Sequence, residues 1–385
     1  MATKRKTKRS VPKQRPAPER PAPERPAPEP PAPGRPAREV PAEQTKSRND
    51  ALAVRPAFDP DHRVVAVTGA ASFLGTELIK RLESDRRYLK VVAIDIRKPD
   101  LVGKALFHKV DLTLPTADAE LVQILKREQV DTLVHLAFLS HPTHNSVWAH
   151  ELEAIGTLHV LDACAACKVH KVVLWSLTSL YGASPLNPNY LTEEVRQNGM
   201  PGSRFFNDKL EAERLALRFR KENPASVVTI VRTAAILGRR VSNYVSGYLS
   251  RPVVPVMMGY DPLVQLLHED DAVAAFKLVV DADFNDQYNV AGDGVLPLST
   301  ALALLGRLPL PIPYSLAYPA AKVMWMTQVI AAAPVFLDFL RYLCVADTTK
   351  IRREMGFTPR HDIRAILADF AGLAPPHAAA TGGPR

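Results

Sequence analysis

The sequence predicts an α/β protein: a Rossmann-type doubly wound parallel sheet with a smaller C-terminal substrate lobe. Three observations carry this. From Arg63 onward, apolar runs of strand length alternate with helical patterns, which requires a parallel sheet covered by helices on both faces. The first run, Val64-Val65-Ala66-Val67, breaks into Thr68-Gly69-Ala70-Ala71-Ser72-Phe73-Leu74-Gly75 and resumes as the helical Thr76–Leu82. The second run, Val91–Ile94, ends in Asp95, twenty positions after Gly75. A small-residue turn between strand and helix lets the backbone approach a pyrophosphate, and the unpaired N–H groups of the helix start favour negative charge. An acid at the end of the next strand is placed to accept from ribose hydroxyls. Ser72 stands where a third glycine is more usual, so the pattern is G-x-x-S-x-x-G.

The elements follow in order. Residues 1–60 read as a disordered tail, because Arg15-Pro16-Ala17-Pro18-Glu19 recurs at 20–24 and 25–29 and its prolines exclude helix and sheet. Its basic start, Lys4–Arg9, offers a surface for an acidic partner. Residues 61–372 form the folded domain. After the first two strands come strands at Ala105–Val110, Thr132–Leu136, Lys171–Trp175 and Ser226–Arg232, with helices at Ala117–Arg127, Ser146–Cys167 and Asn207–Lys221. The C-terminal lobe, mainly 235–372, is expected to interleave with the sheet. It contains short strands, a proline-rich turn at Leu308–Pro313 and a helical region from Tyr318 to Leu343. Residues 373–385 are expected to be flexible.

Composition bounds the partners. The apolar share of 46% is ample for a large core. The net charge of +9 is concentrated in the first sixty residues, so the folded part is close to neutral and carries no signature of nucleic-acid binding. Three cysteines are too few for a disulfide framework and fit a reducing, cytoplasmic compartment. Cys164-Ala165-Ala166-Cys167 lacks a second pair at ligand spacing, and no metal is expected. The stretch Val323–Leu337 is short of the ~20 apolar residues that cross a bilayer.

Taken together, Gly69-x-x-Ser72-x-x-Gly75, Asp95 with Arg97, Asp111-Leu112, Leu136-Ala137, Tyr181-Gly182, His268-Glu269-Asp270-Asp271, Tyr288-Asn289-Val290, and Asp347-Thr348-x-Lys350 with Met355-Gly356-Phe357 form an ordered series. It resembles the extended short-chain dehydrogenase/reductase family, in the NAD-dependent epimerase/dehydratase branch that acts on nucleotide sugars, and looks closest to its galactose-epimerase-like members. The resemblance implies NAD as cofactor, with Arg97 leaving room for NADP. It puts Gly69, Ser72, Phe73, Leu74 and Gly75 under the pyrophosphate. Asp95 and Ile96 would face the adenosine ribose, Asp111 and Leu112 the adenine, and Leu136, Ala137 and Phe138 the inner cofactor. It also implies a homodimer through the helices near 148–167 and 205–220, and a nucleotide-sugar-like substrate.

The same resemblance exposes departures. The family moves protons with a tyrosine four residues before a lysine that holds the nicotinamide ribose. Here the lysine is Lys209, with Glu213 one turn on as its support, but Phe205 stands at the tyrosine position. Leu177 replaces the orienting Ser or Thr, with Thr178 and Ser179 beside it, and Glu153 replaces an asparagine. Losing a general acid/base removes about 10²–10⁴ in rate. Candidate replacements are His135, His141, His144, Asp208 and Tyr181, and candidate diphosphate ligands are Arg239, Arg240, Arg251 and Arg341. The 318–343 stretch reads as lobe core, or as a lid over a greasy substrate or a membrane surface. Two functions stay open: an epimerase, dehydratase or reductase with a base of its own, and a cofactor-binding pseudoenzyme acting through partner binding or redox sensing.

Overall fold

A computed structural model of the chain describes residues 62–100 and 103–373. The expected N-terminal tail and the last twelve residues lie outside that range. The first half runs β1 (Arg63–Thr68), α1 (Phe73–Glu83), β2 (Tyr88–Asp95), β3 (Leu106–Lys109), α2 (Ala117–Glu128), β4 (Thr132–His135), α3 (Ser146–His150), α4 (Gly156–Cys167), β5 (Lys171–Leu177), α5 (Arg204–Glu222) and β6 (Val227–Thr233). The second half runs β7 (Ala235–Leu237), α6 (Tyr244–Leu249), β8 (Val253–Met257), β9 (Leu263–Val264), β10 (Leu266–His268), α7 (Glu269–Asp281), β11 (Gln287–Val290), β12 (Leu296–Pro297), α8 (Leu298–Leu304), β13 (Leu308–Ile312), α9 (Tyr314–Met326), α10 (Thr349–Met355) and α11 (Ile363–Phe370).

Seven strands make one sheet in the order β11-β6-β5-β4-β1-β2-β3, every pairing parallel. β1 is buried along its whole length, as a strand covered on both faces must be. One face packs Leu74, Leu78 and Leu82 of α1 and Phe276 and Val279 of α7 against the sheet. The other packs α2, α4 and α5 through Leu121, Leu125, Leu161 and Phe219. Strand order reverses between β1 and β4, so a crevice opens beyond their C-terminal ends.

Several elements differ from the sequence expectation. The helix expected over Ser146–Cys167 is interrupted by a π-helical turn at Glu151–Ile155. The Leu308–Pro313 segment is no turn: it forms β13, paired in parallel with β8 from Leu308↔Val253 to Ile312↔Met257. Pro309 and Pro311 are tolerated because the strand pairs on one side only, where their missing N–H groups need not donate. The Tyr318–Leu343 region is two pieces, α9 and a 3₁₀ turn at Pro334–Leu340, separated near Gln328, whose φ is +61°. The C-terminal lobe is interleaved, because α7 and β11 return to the main sheet. A clasp holds the return: Asp271 accepts from the Arg360 and His361 backbone N–H groups at 3.0 Å, and the His268 and His361 rings stack at 3.7 Å.

Between β5, α5 and β6 lies a buried polar network. Glu213 accepts two bonds from Arg232, at 2.9 and 2.5 Å, another from Gln197 at 3.2 Å, and one from Ser176. Arg232 donates onward to the Tyr181 hydroxyl at 2.8 Å, which donates to Asn289 at 2.9 Å. Glu213 therefore serves this network, and its expected support of Lys209 is not observed. Removing one member of a buried pair strands the other charge, at about 3–5 kcal/mol. Arg232→Met is expected to lower the urea midpoint by a corresponding amount, measured by circular dichroism.

Candidate functional site

The crevice is shaped first by backbone. Gly69 has φ +69°, and a Cβ there would stand 2.6 Å from the Leu136 carbonyl and 2.7 Å from the Ala137 nitrogen. A Cβ on Gly75 would meet the Gly69 carbonyl at 2.3 Å. Only glycine allows the turn to close against β4 and α1 to start directly above it. Ser72 caps α1, its Oγ accepting from Gly75 N at 3.0 Å. The Phe73 and Leu74 N–H groups have no acceptor among the described residues and border a cavity of about 1230 Å³. Asp95 steadies the turn, accepting from Ala71 N at 2.9 Å and Arg97 N at 3.1 Å, with lone pairs left for another donor. Ile96, Arg97, Asp111, Leu112, Leu136, Ala137 and Phe138 line the same cavity; Asp111 also caps its own turn through Thr113 N at 3.0 Å. Gly75 does not line it: its role is the close packing beneath the turn.

At the other end of the crevice the π turn of 151–155 swings Glu153 inward, where it is wholly buried. Its Oε1 accepts from Leu139 N at 2.7 Å and from Lys209 Nζ. The Lys209 ammonium also sits over the Phe205 ring, 4.0 Å from its centroid. Burial pushes the Lys209 pKa down and the Glu153 pKa up, and the attraction between the two opposes both shifts. Phe205 packs edge-on against Tyr244, the first residue of α6, at 5.6 Å between centroids. The Tyr244 hydroxyl faces Ser179, and burial pushes its pKa up to about 12. Tyr244, Leu177, Thr178, Ser179 and Lys209 all line the cavity. Such a constellation can bind a dinucleotide at the turn, and at the far end it offers neutral hydroxyls and a committed lysine.

Comparisons with known proteins agree with this geometry. The model of the NAD dependent epimerase/dehydratase family matches residues 65–291. The chain belongs to that family. An uncharacterized protein of Mycobacterium tuberculosis is 31% identical over 331 residues, covering 81% of this chain and 85% of its own length. Among solved structures, MoeE5 in complex with UDP-glucuronic acid and NAD is 24% identical, with a TM-score of 0.61 over 80% of this chain and 97% of that one. The UDP-glucose 4-epimerase of Thermotoga maritima with UDP-glucose is 18% identical, with a TM-score of 0.61 over the same shares. These structures share the fold.

Within this epimerase/dehydratase frame, most of the sequence candidates for a replacement base leave the reacting end. His135 is a core residue between Thr68 Oγ1 at 2.6 Å and Thr157 Oγ1 at 3.0 Å. Tyr181 belongs to the Arg232 network, and burial pushes its pKa up to about 12. Asp208 does not line the cavity: it is buried and bonded to His150 Nδ1 at 2.9 Å, with its charge close enough to act on Lys209 and Glu153. His144 is engaged by the Ile330 carbonyl at 2.7 Å, and His141 lines the cavity but is exposed beside Ser140. Three of the four arginines are committed elsewhere. Arg239 pairs with Asp369 at 3.0 Å, Arg240 with Glu269 at 2.6 Å and Asp270 at 2.7 Å, and Arg341 with Asp338 at 3.2 Å while stacking on Tyr314. Arg251 alone of them lines the cavity. Tyr244 escaped sequence reasoning because it lies outside the family's spacing and reaches Phe205 only through tertiary packing.

Two predictions follow from the burial of these groups. Burial pushes the His135 pKa down to about 3, from about 6.5 in the unfolded chain. The unfolded state then binds a proton that the folded state refuses, so stability is complete above pH 6.5 and falls towards pH 3. His135→Asn is expected to flatten the loss of stability between these limits by at most about 1.4 kcal/mol per pH unit, read from denaturant melts at several pH values. Glu153→Leu, which leaves the Lys209 ammonium buried without its carboxylate, is expected to lose about 3–5 kcal/mol. Much of that should return in the Glu153→Leu/Lys209→Met double variant.

Proposed function

We propose that this chain binds NAD in the crevice beyond β1 and β4, and that the proton transfer usual in its family does not operate at position 205. The observation that carries the reading is Phe205 seated over a Lys209 ammonium already held by Glu153. A phenyl ring holds no transferable proton, and a lysine engaged in a buried ion pair is poorly placed to lower the pKa of a neighbour. The cofactor half supports binding. The Gly69 turn lets a pyrophosphate approach the Phe73 and Leu74 N–H groups, and the Asp95 carboxylate can accept from ribose hydroxyls while repelling a 2′-phosphate. Bound NAD would supply a hydride acceptor or, when reduced, a donor.

On this reading the protein is a cofactor-binding relative of the nucleotide-sugar epimerases, acting through partner binding or redox sensing. A second reading, an active epimerase, dehydratase or reductase, draws on Thr178, Ser179 and Tyr244, which line the crevice. The solved relatives whose titles name UDP-glucose and UDP-glucuronic acid make a nucleotide sugar the inherited substrate for that case. Assembly as a homodimer through α4 and α5 belongs to the same inheritance, and gel filtration checks it.

Titration calorimetry with NAD and NADP, followed by assays with UDP-glucose and UDP-galactose, tests the reading. NAD is expected to bind about tenfold more tightly than NADP, the scale of one unfavourable charge contact. Turnover of either nucleotide sugar by the wild type is expected to be absent. Ready turnover by the wild type would overturn the non-catalytic reading, and binding of neither nucleotide would overturn both.

A further inference from the structure

The part of the cavity away from the Gly69 turn has a different chemistry. Leu316, Ala317, Ala320, Ala321 and Met324 of α9 line it at helical spacing, so one stripe of that helix faces inward. Phe336 and Phe339 of the 3₁₀ turn line the same cavity, as do Met257 and Ile312, opposite each other at the ends of β8 and β13. These are apolar side chains, and the alanines of α9 keep the space open. Beyond this stripe α9 is apolar as well, with Val323 and Met326 exposed.

Charge is nearly absent from this compartment. A nucleotide diphosphate carries two phosphates that need cations or convergent N–H groups. Arg239, Arg240 and Arg341 are spent on Asp369, on Glu269 with Asp270, and on Asp338, and none of them lines the cavity. Arg251 remains. It is exposed, lines the cavity and has no ion pair among the described residues. It lies just before β8, so at about 3.3 Å per residue up to ~20 Å of chain separates it from the apolar wall at Met257. The cavity of about 1230 Å³ exceeds the ~300–1,000 Å³ of a pocket for one small ligand, which leaves space beside a dinucleotide.

From this we infer that the second ligand of the site is a long-chain amphiphile, its hydrocarbon tail lying along the inner stripe of α9 and a single anionic head meeting Arg251. The inference rests on the cofactor reading only in taking the Gly69 half of the cavity as the NAD side. It replaces the inherited nucleotide sugar with a ligand whose affinity comes from methylene burial.

The test uses the full chain saturated with NAD and the fluorescent fatty acid cis-parinaric acid as probe. Saturable fluorescence enhancement is expected, with displacement by octanoate, decanoate and dodecanoate strengthening roughly tenfold for every two methylenes. UDP-glucose should not compete. Ala321→Trp, which fills the compartment, should weaken the probe at least tenfold while NAD affinity, measured separately by calorimetry, is unchanged. Met324→Glu should do the same by placing a carboxylate among the tails, and so covers the case in which the tryptophan variant fails to fold. Arg251→Gln should weaken dodecanoate several-fold and leave dodecanol unaffected. Absence of saturable binding, displacement by UDP-glucose, or binding that ignores chain length or both cavity variants would overturn the inference. Probe binding in a chain that fails to bind NAD would support it and remove the cofactor reading alone.

Discussion

Everything at this site follows from one close approach of two backbones, the Gly69 turn against the Leu136–Ala137 segment that leaves β4. No side chain fits between them, since even a methyl group would lie 2.6 Å from the Leu136 carbonyl. That contact fixes where α1 begins, which directs the Phe73 and Leu74 N–H groups into the crevice, and it brings Asp95 within 2.9 Å of the turn it steadies. Because Gly75 packs onto the Gly69 carbonyl in turn, the three layers β4, turn and α1 are locked by contacts that only hydrogen atoms permit. Ser72 is compatible with this lock. Its side chain bonds back to Gly75 N and leaves the approach open.

The opposite end of the crevice is held by a different force. Glu153 and Lys209 are both buried, and neither would be retained there as an isolated charge. Their pairing makes the position of Lys209 depend on a carboxylate carried by a π turn, an irregularity frequent at functional sites. Phe205 completes the enclosure by covering the ammonium with its ring face, an arrangement that is favourable for a cation and excludes water. Glu153, Lys209 and Phe205 thus form one packed corner, backed by Phe206, Tyr244 and Phe336. On the proposed reading, that corner has no proton donor at position 205.

The sheet was legible because strands buried on both faces are written as unbroken apolar runs, and the turn because its glycines are demanded by sterics. The families of contacts that sequence could not show are those set by tertiary placement. The π turn has the composition of ordinary helix, so nothing in Glu151–Ile155 announced that Glu153 would face Lys209. Glu213 lies one helical turn from Lys209, yet α5 presents it to Arg232 of β6. His135 read as a cleft candidate from its place at a strand end, whereas the pleat turns it into the core between two threonines. β13 was hidden by its prolines, which an edge strand tolerates. Tyr244 and the α9 stripe are joined to the site across more than thirty positions of sequence, and no spacing rule connects them.

The central claim is that a working dinucleotide site ends at a corner that no longer handles protons. A crystal structure of the chain grown with NAD examines both halves at once. The account predicts the adenosine ribose on Asp95, the pyrophosphate on the N–H groups of Phe73 and Leu74, and the nicotinamide end beside Phe205, with Lys209 still paired to Glu153. A cofactor seated elsewhere, or a Lys209 that leaves Glu153 to hold the nicotinamide ribose, would contradict it.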